Sequence, residues 1–113
     1  MAAPCFSRSK KTWVKVIEGF RAGREMILSR PEVTIGRAES CDIGFFGDPR
    51  VEKLHARILQ VGDHYELEDN STPHGTYVNN QRVNGRSPLN DGDLIRIGRN
   101  IIRFSERAKR PAA

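Results

Sequence analysis

The stretch ARILQVGDHYELED, residues 56–69, carries the clearest secondary-structure pattern in this sequence. Its first half, Ala56–Val61, is rich in apolar residues, and the Gly62-Asp63 pair that follows is typical of a tight hairpin turn. In the second half, Tyr65 and Leu67 alternate with glutamates, which directs apolar side chains to one face of a strand and carboxylates to the other. These residues predict a β-hairpin with one buried face.

Short segments of the same kind occur on both sides of this hairpin, and no window shows sustained helical periodicity. The predicted strands outside the hairpin are residues 11–17, 25–28, 33–35, 76–78, 81–83, 94–97 and 101–104. Many short strands that recur about every 8–12 residues favour a β-sandwich or barrel. The intervening residues 37–54, 70–75 and 84–90 are predicted as loops, and function is sought there because loops on a rigid scaffold carry most binding residues.

Length and composition indicate one folded domain with basic ends. The chain has 113 residues, of which 37% are hydrophobic and 29% charged. No apolar run approaches the ~20 residues of a membrane-spanning helix, and no apolar stretch follows the basic N-terminus as in a signal peptide. We expect a cytoplasmic protein with a folded domain at residues 12–105, flanked by flexible basic tails at residues 1–11 and 106–113.

The net charge of +5 is concentrated in those predicted tails. Residues 1–11 hold three basic and no acidic side chains, and residues 106–113 hold three basic and one acidic. Residues 12–105 hold 13 of each sign. Because the predicted domain is neutral by this count, we expect no specific nucleic-acid platform on it, and any nucleic-acid or membrane binding would rest on the tails.

The sequence shows no pattern of catalytic or metal-binding residues. Cys5 and Cys41 do not have the spacing of a zinc site, and we expect two free thiols in a reducing compartment. His55, His64 and His74 are nine and ten residues apart, and no carboxylate pattern joins them. No phosphate-binding loop or nucleophile elbow occurs. The sequence therefore predicts no enzyme, no cofactor and no metal.

An ordered series of fragments resembles the forkhead-associated (FHA) domain family. In chain order the fragments are GR (36–37), SCDI (40–43), HA (55–56), YELED (65–69), GTYVN (75–79) and LNDGDLIRIG (89–98). The resemblance covers about residues 12–105. It implies an all-β fold, a sandwich of two packed, mostly antiparallel sheets with about eleven short strands, whose loops at one edge bind phosphothreonine in extended protein segments.

The resemblance also implies roles for individual loop residues. Arg37 stands where the family has its phosphate-binding arginine, and a guanidinium suits a phosphate because it donates two parallel hydrogen bonds to it. The other predicted phosphopeptide-binding positions are Arg50, Glu52, Lys53, Pro73 and His74. The predicted loop-bracing positions are Gly36, His55, Gly75 and Asn79.

Three of these positions depart from the family pattern. Glu52 lies three residues before His55, where the family has serine, and Pro73-His74 precedes Gly75, where the family commonly has a small polar residue and asparagine. Unit charges about 4 Å apart near a surface interact by on the order of 4 kcal/mol, so a carboxylate here can offset the attraction of an arginine for phosphate. The Glu52 carboxylate either pairs with the arginine as an internal phosphate mimic or points into water.

The sequence therefore predicts a protein-interaction module that binds phosphothreonine-containing segments, with a partly degenerate phosphate site. Two alternatives remain open. The chain can be a phosphate-independent binding or oligomerisation module on the same fold, or a tether to nucleic acid or membrane through its basic tails. The sequence does not define the oligomeric state.

Overall fold

Eleven strands form two sheets in the computed structural model, which describes residues 10–19 and 22–108. The strands are β1 (Lys10–Glu18), β2 (Glu25–Ile27), β3 (Glu32–Gly36), β4 (Ile43–Gly44), β5 (Ala56–Val61), β6 (His64–Asp69), β7 (Tyr77–Val78), β8 (Gln81–Arg82), β9 (Arg86–Leu89), β10 (Leu94–Ile97) and β11 (Asn100–Ala108). One sheet has the order β2-β1-β11-β10-β7-β8 and the other the order β4-β3-β5-β6-β9. The pairing of β3 with β4 is parallel, and the other strand pairs of the described residues are antiparallel.

The period-two pattern of the strands places one face of each sheet in a shared core. In the predicted hairpin, β5 pairs with β6 along its whole length, and Leu67 is fully buried while its neighbours Glu66 and Glu68 are half-buried. Phe104 and Tyr65 meet across the two sheets with ring centroids 6.0 Å apart. Full burial of one such side chain contributes about 1.5–3 kcal/mol, so the sandwich is held mainly by this core.

Two strands lie in segments that were predicted to be loops. β9 pairs with β6 inside residues 84–90, and β4 pairs with β3 inside residues 37–54. Pro88 weakens the sequence signal of β9, but β9 is an edge strand, where a missing N–H is tolerated. β4 has only two residues and is too short to show a period. No helix of the described part could cross a membrane.

The ordered strands extend beyond the predicted domain at both ends. β1 begins at Lys10 and β11 continues to Ala108, and the register joins these two residues directly. The strands thus run past the expected tail boundaries at residues 11 and 106, because an antiparallel ladder satisfies the backbone of polar residues as well as apolar ones. Residues 1–9 and 109–113, including Cys5, lie outside the described residues.

A chain trimmed to residues 12–105 should be less stable than one trimmed to residues 10–108. The shorter chain loses the three outermost pairs of the β1–β11 ladder, which are Lys10–Ala108, Lys11–Arg107 and Thr12–Glu106. We expect the thermal midpoint to fall by about 4–8 °C, which corresponds to roughly 1 kcal/mol for a domain of this size. Thermal unfolding followed by circular dichroism measures this, and equal midpoints would show that the outer pairs contribute nothing.

Candidate functional site

Three loops are connected to one another at one end of the sandwich: residues 37–42 between β3 and β4, residues 45–55 between β4 and β5, and residues 70–76 between β6 and β7. The first two loops are joined backbone to backbone. The Arg37 N–H donates to the Glu52 carbonyl at 2.8 Å, and the Ala38 N–H donates to the Lys53 carbonyl at 3.2 Å. These bonds fix Arg37 beside the segment that carries Glu52 and Lys53.

Gly36 permits this close approach because it has no side chain. A Cβ atom at this position would lie 2.2 Å from the Lys53 carbonyl oxygen, which is closer than real Cβ atoms come to other heavy atoms. The Cys41 thiol donates to the same carbonyl oxygen at 3.2 Å, and Cys41 is a free cysteine. Any larger residue at position 36 would therefore push the two loops apart.

The imidazole of His55 joins the second loop to the third. His55 is fully buried; its Nδ1 accepts the Glu52 N–H at 3.1 Å, and its Nε2 lies 3.0 Å from the Gly75 carbonyl oxygen. Because Nδ1 acts as an acceptor, Nε2 carries the proton and donates a hydrogen bond to the Gly75 carbonyl. Both ring nitrogens are thus used in holding loops together. No cluster of three or more His, Cys, Asp or Glu among the described residues could hold a metal ion.

A network of hydroxyl groups shapes the third loop. Asp69 accepts hydrogen bonds from the hydroxyls of Thr72, at 2.8 Å, and Thr76, at 2.6 Å. The Thr72 hydroxyl in turn accepts the Gly75 N–H at 3.1 Å. Gly75 has a φ of 79°, a conformation that side chains disfavour, and this turns its carbonyl toward His55.

Asn79 braces a different turn from these three loops. It lies between β7 and β8 with a φ of 50°. Its side-chain amide donates to Asp93 at 3.0 Å, and its side-chain oxygen accepts the Leu94 N–H at 3.0 Å. Asn79 therefore ties the β7–β8 turn to the start of β10.

Arg37 is exposed but its side chain is held at one point. Its Nε–H donates to the Val51 carbonyl at 2.9 Å, and its two terminal amino groups form no hydrogen bond with the residues that the structure describes. Lys53 is exposed and Glu52 is half-buried. Among the described residues Glu52 forms no ion pair with Arg37. The internal phosphate mimic that the sequence left open is therefore not formed.

The remaining predicted contact residues lie on the second and third loops. Pro73 and His74 are exposed on the third loop. Arg50 is exposed on the second loop and, with Arg99, lines a cleft of about 480 Å³. The structure thus groups Arg37, Glu52 and Lys53 through backbone bonds, whereas Arg50 borders a separate cleft.

Comparison with known proteins assigns the family. Residues 33–98 match the family model described as FHA domain. The chain belongs to the FHA domain family. The two mostly antiparallel sheets and eleven strands of this FHA domain confirm the predicted fold class.

Individual relatives are similar over most of this FHA domain. It is 36% identical over 94 residues to an oxoglutarate dehydrogenase inhibitor of Corynebacterium jeikeium (strain K411), covering 83% of this chain and 64% of that protein. The structure of Mycobacterium tuberculosis EmbR in complex with a low-affinity phosphopeptide matches with a TM-score of 0.79 and 28% identity, over 90% of this chain and 26% of that chain. A structure from an analysis of phosphothreonine-dependent FHA domain interactions matches with a TM-score of 0.76 and 28% identity, over 90% and 99%.

Asp48 is a structural residue of the site whose role the sequence did not predict. Its carboxylate is buried and accepts the Arg50 N–H at 2.9 Å, the Asn100 side-chain amide at 3.0 Å and the Arg99 N–H at 3.4 Å. Burial alone would raise the pKa of Asp48, but these hydrogen bonds and the charge of Arg50 outweigh it and lower the pKa below 3.8. Asp48 ties the second loop to the β10–β11 turn. The Asp-Pro-Arg sequence at 48–50 is a turn signal that could have indicated it.

We expect Asp48→Asn to destabilise the FHA domain near neutral pH and to reduce its sensitivity to acid. The new amide group would face donors, at a cost on the order of 1–3 kcal/mol. Since folding lowers the pKa of Asp48 from 3.8, the stability it contributes is complete above that value and is lost as the pH falls through the folded pKa. Urea denaturation measures the free energy of unfolding. The difference in this free energy between parent and variant should be smaller at about pH 3 than at about pH 7. A difference of equal size at both pH values would contradict this role.

Proposed function

We propose that this FHA domain is a protein-interaction module that binds phosphothreonine-containing segments at the loop end of the sandwich, with Arg37 as the main phosphate contact. The observation that carries this proposal is the anchoring of Arg37. Its backbone N–H and its side-chain Nε are both bonded to carbonyls of the second loop, while the residue is exposed and its terminal amino groups form no hydrogen bond with the described residues. A guanidinium held in this way can donate two parallel hydrogen bonds to a phosphate with little loss of side-chain entropy.

Lys53 supplies a second positive charge next to Arg37. Its backbone carbonyl accepts the Ala38 N–H, so the exposed Lys53 side chain starts from the segment that is bonded to the arginine loop. A phosphate monoester carries about −1.5 to −2 charges near neutral pH, and two cations at this edge match it. Pro73 and His74 on the third loop, and Arg50 at the neighbouring cleft, would contact residues that flank the phosphothreonine.

Glu52 weakens the phosphate site in this proposal. It takes the place of a hydroxyl donor, and its carboxylate has no ion-pair partner among the described residues that would neutralise it. A phosphate beside Arg37 would therefore meet repulsion as well as attraction. The module would bind phosphothreonine through Arg37 and Lys53 with lower affinity than a domain with serine at position 52.

Binding without catalysis in the cytoplasm is part of this proposal. The Corynebacterium relative is named as an inhibitor, and two of the matching structures concern phosphopeptide or phosphothreonine recognition. The one buried histidine uses both ring nitrogens for loop carbonyl and amide groups, which leaves it no role as an acid or base. The free thiol of Cys41 suits a reducing compartment.

Glu52→Ser should strengthen phosphothreonine binding by about tenfold or more. The substitution removes a repulsive charge and adds a hydroxyl donor, and each effect is worth on the order of 1 kcal/mol. Calorimetric titration with a peptide selected from a degenerate phosphothreonine library, and with its unphosphorylated form as control, measures the gain. If the parent already binds with low-micromolar affinity and the variant binds no better, the Glu52 carboxylate does not reach the phosphate.

Arg37→Ala should abolish phosphothreonine binding in both the parent and the Glu52→Ser variant. The loss should exceed about a hundredfold, because hydrogen bonds to a charged partner are worth about 1.5–3 kcal/mol each and two are removed. Arg103→Ala is the matched control, since Arg103 is an exposed arginine within β11, outside these three loops, and has the same charge. Equal losses in the two variants would mean that only net charge matters and that Arg37 is not the phosphate contact.

A further inference from the structure

The outer face of the six-stranded sheet carries basic side chains that the loop site does not use. Val14, Val16, Ile102 and Phe104 point into the core. Residues that alternate with them along β1 and β11 therefore point outward, as does Arg96 between the buried Ile95 and Ile97 of β10. These outward cations are Lys11, Lys15, Arg96, Arg103 and Arg107, and together they are called the basic face.

Four cations of the basic face form two directly opposed cross-strand pairs. In the β1–β11 register, Lys11 pairs with Arg107 and Lys15 pairs with Arg103. Like charges in directly opposed positions destabilise a sheet. Glu25 lies opposite Lys15 on β2, and the other carboxylate on this side is at the end of β1, so cations remain in clear excess. The domain thus carries an unfavourable arrangement that an anionic partner would relieve.

The outer face of the other sheet is arranged in the opposite way. There Arg57 pairs with Glu32 and Glu68, and Arg86 pairs with Glu66 and Glu68. No ion pair recorded among the described residues involves the basic face. The equal count of acids and bases in residues 12–105 therefore conceals a separation of charge between the two outer faces, and Lys11 and Arg107, which lie outside that range, add to the basic one.

Apolar groups lie among and beside these cations. Ile27 on β2 is 60% exposed and Leu94 on β10 is 38% exposed. Two rings are covered by cations, with the Lys11 ammonium 5.6 Å from the centre of the Trp13 ring and the Arg96 guanidinium 5.0 Å from that of Tyr77. The basic face therefore combines charge with separate apolar contact points.

We propose that the basic face docks an acidic segment of a protein partner in which carboxylates alternate with apolar residues. An extended segment repeats its side chains about every 6.8 Å on one side, so carboxylates four residues apart would match Lys11 and Lys15, which are about 13 Å apart along β1. The apolar residue between them would contact Ile27, which is opposite Trp13 on β2, and an apolar residue farther along the segment, where it crosses β11, would contact Leu94. This docking surface is separate from the loop site and needs no phosphate.

The same observations disfavour other anionic partners. Nucleic acid that binds to a sheet stacks its bases on open aromatic rings, and here the faces of Trp13 and Tyr77 are covered by cations. A membrane surface requires a contiguous apolar patch, and here Ile27 and Leu94 are on strands separated by β1 and β11. A protein segment is the partner that matches both the charge and the separated apolar points.

The probe for this proposal is an unphosphorylated, fluorescein-labelled peptide of about twelve residues. Glu and Leu alternate at every second position, and Ser fills the positions between them. Fluorescence anisotropy at low salt should show saturable binding that weakens as the ionic strength rises. Amide shift changes in nuclear magnetic resonance spectra should map to β1, β10 and β11 and not to the loop site. A peptide with Lys in place of Glu should not bind.

Arg103→Glu separates this role from a structural one. It places an acid opposite Lys15, so the thermal midpoint should stay the same or rise by a few degrees, while probe binding weakens by about fivefold or more. Phosphothreonine-peptide binding at the loops should not change. Arg24→Glu, which makes the same charge change at a side chain facing the groove between the two sheet edges, should leave probe binding within about twofold. Lys15→Gln is the second variant if the first fails to fold.

Three results would overturn the docking proposal. The first is no saturable binding of the acidic peptide. The second is an equal loss of probe binding in the Arg103→Glu and Arg24→Glu variants, which would mean attraction by net charge alone. The third is tighter binding, at the same salt, of a short single-stranded DNA or of vesicles containing phosphatidylglycerol. None of these results would bear on the phosphothreonine site.

Discussion

The hydrogen bonds of the His55 ring are the constraint on which the loop end of this FHA domain depends. The ring is fully buried and joins the Glu52 N–H of one loop to the Gly75 carbonyl of another. A buried polar group that loses its partner costs about 1–3 kcal/mol, and opening either contact would leave two such groups unpaired. The His55 ring therefore fixes the distance between the two loops. Its bond to the Glu52 N–H also fixes the position of Glu52.

The position of Arg37 also depends on the hydrogen bonds of the His55 ring. Its N–H is bonded to the carbonyl of Glu52, the residue whose own N–H the His55 ring holds. Gly36 allows the loop backbones to approach, and Asp48 fixes the other end of the second loop to the β10–β11 turn. A guanidinium on such a framework loses little freedom on binding, so the phosphorylated segment of the proposed function would meet loops that are already ordered. The FHA fold serves here as the support for one anchored arginine.

The sequence predicts the sheets well because their signals are local. Alternation in residues 56–69 and the turn residues within this stretch specify strand, face and hairpin without long-range information. β4 and β9 were missed because one is very short and the other contains Pro88, and both are held by neighbouring strands. The proposed role of Arg37 and the bracing by His55 follow from the family motif. The Asp48 contacts and the segregated charges of the basic face could not be predicted, since they depend on residues about fifty positions apart in the chain or on facing strands.

The protonation pattern of the His55 ring tests this account most directly. If the ring bridges the loops as described, Nδ1 accepts a hydrogen bond and Nε2 carries the proton. A two-bond proton–nitrogen correlation spectrum of the nitrogen-15-labelled domain at neutral pH should show a single Nε2–H form, with a slowly exchanging Nε2 proton. A ring protonated at Nδ1, or one averaging between the two forms, would mean that the loops are not held by His55 and that the anchored position of Arg37 has another cause.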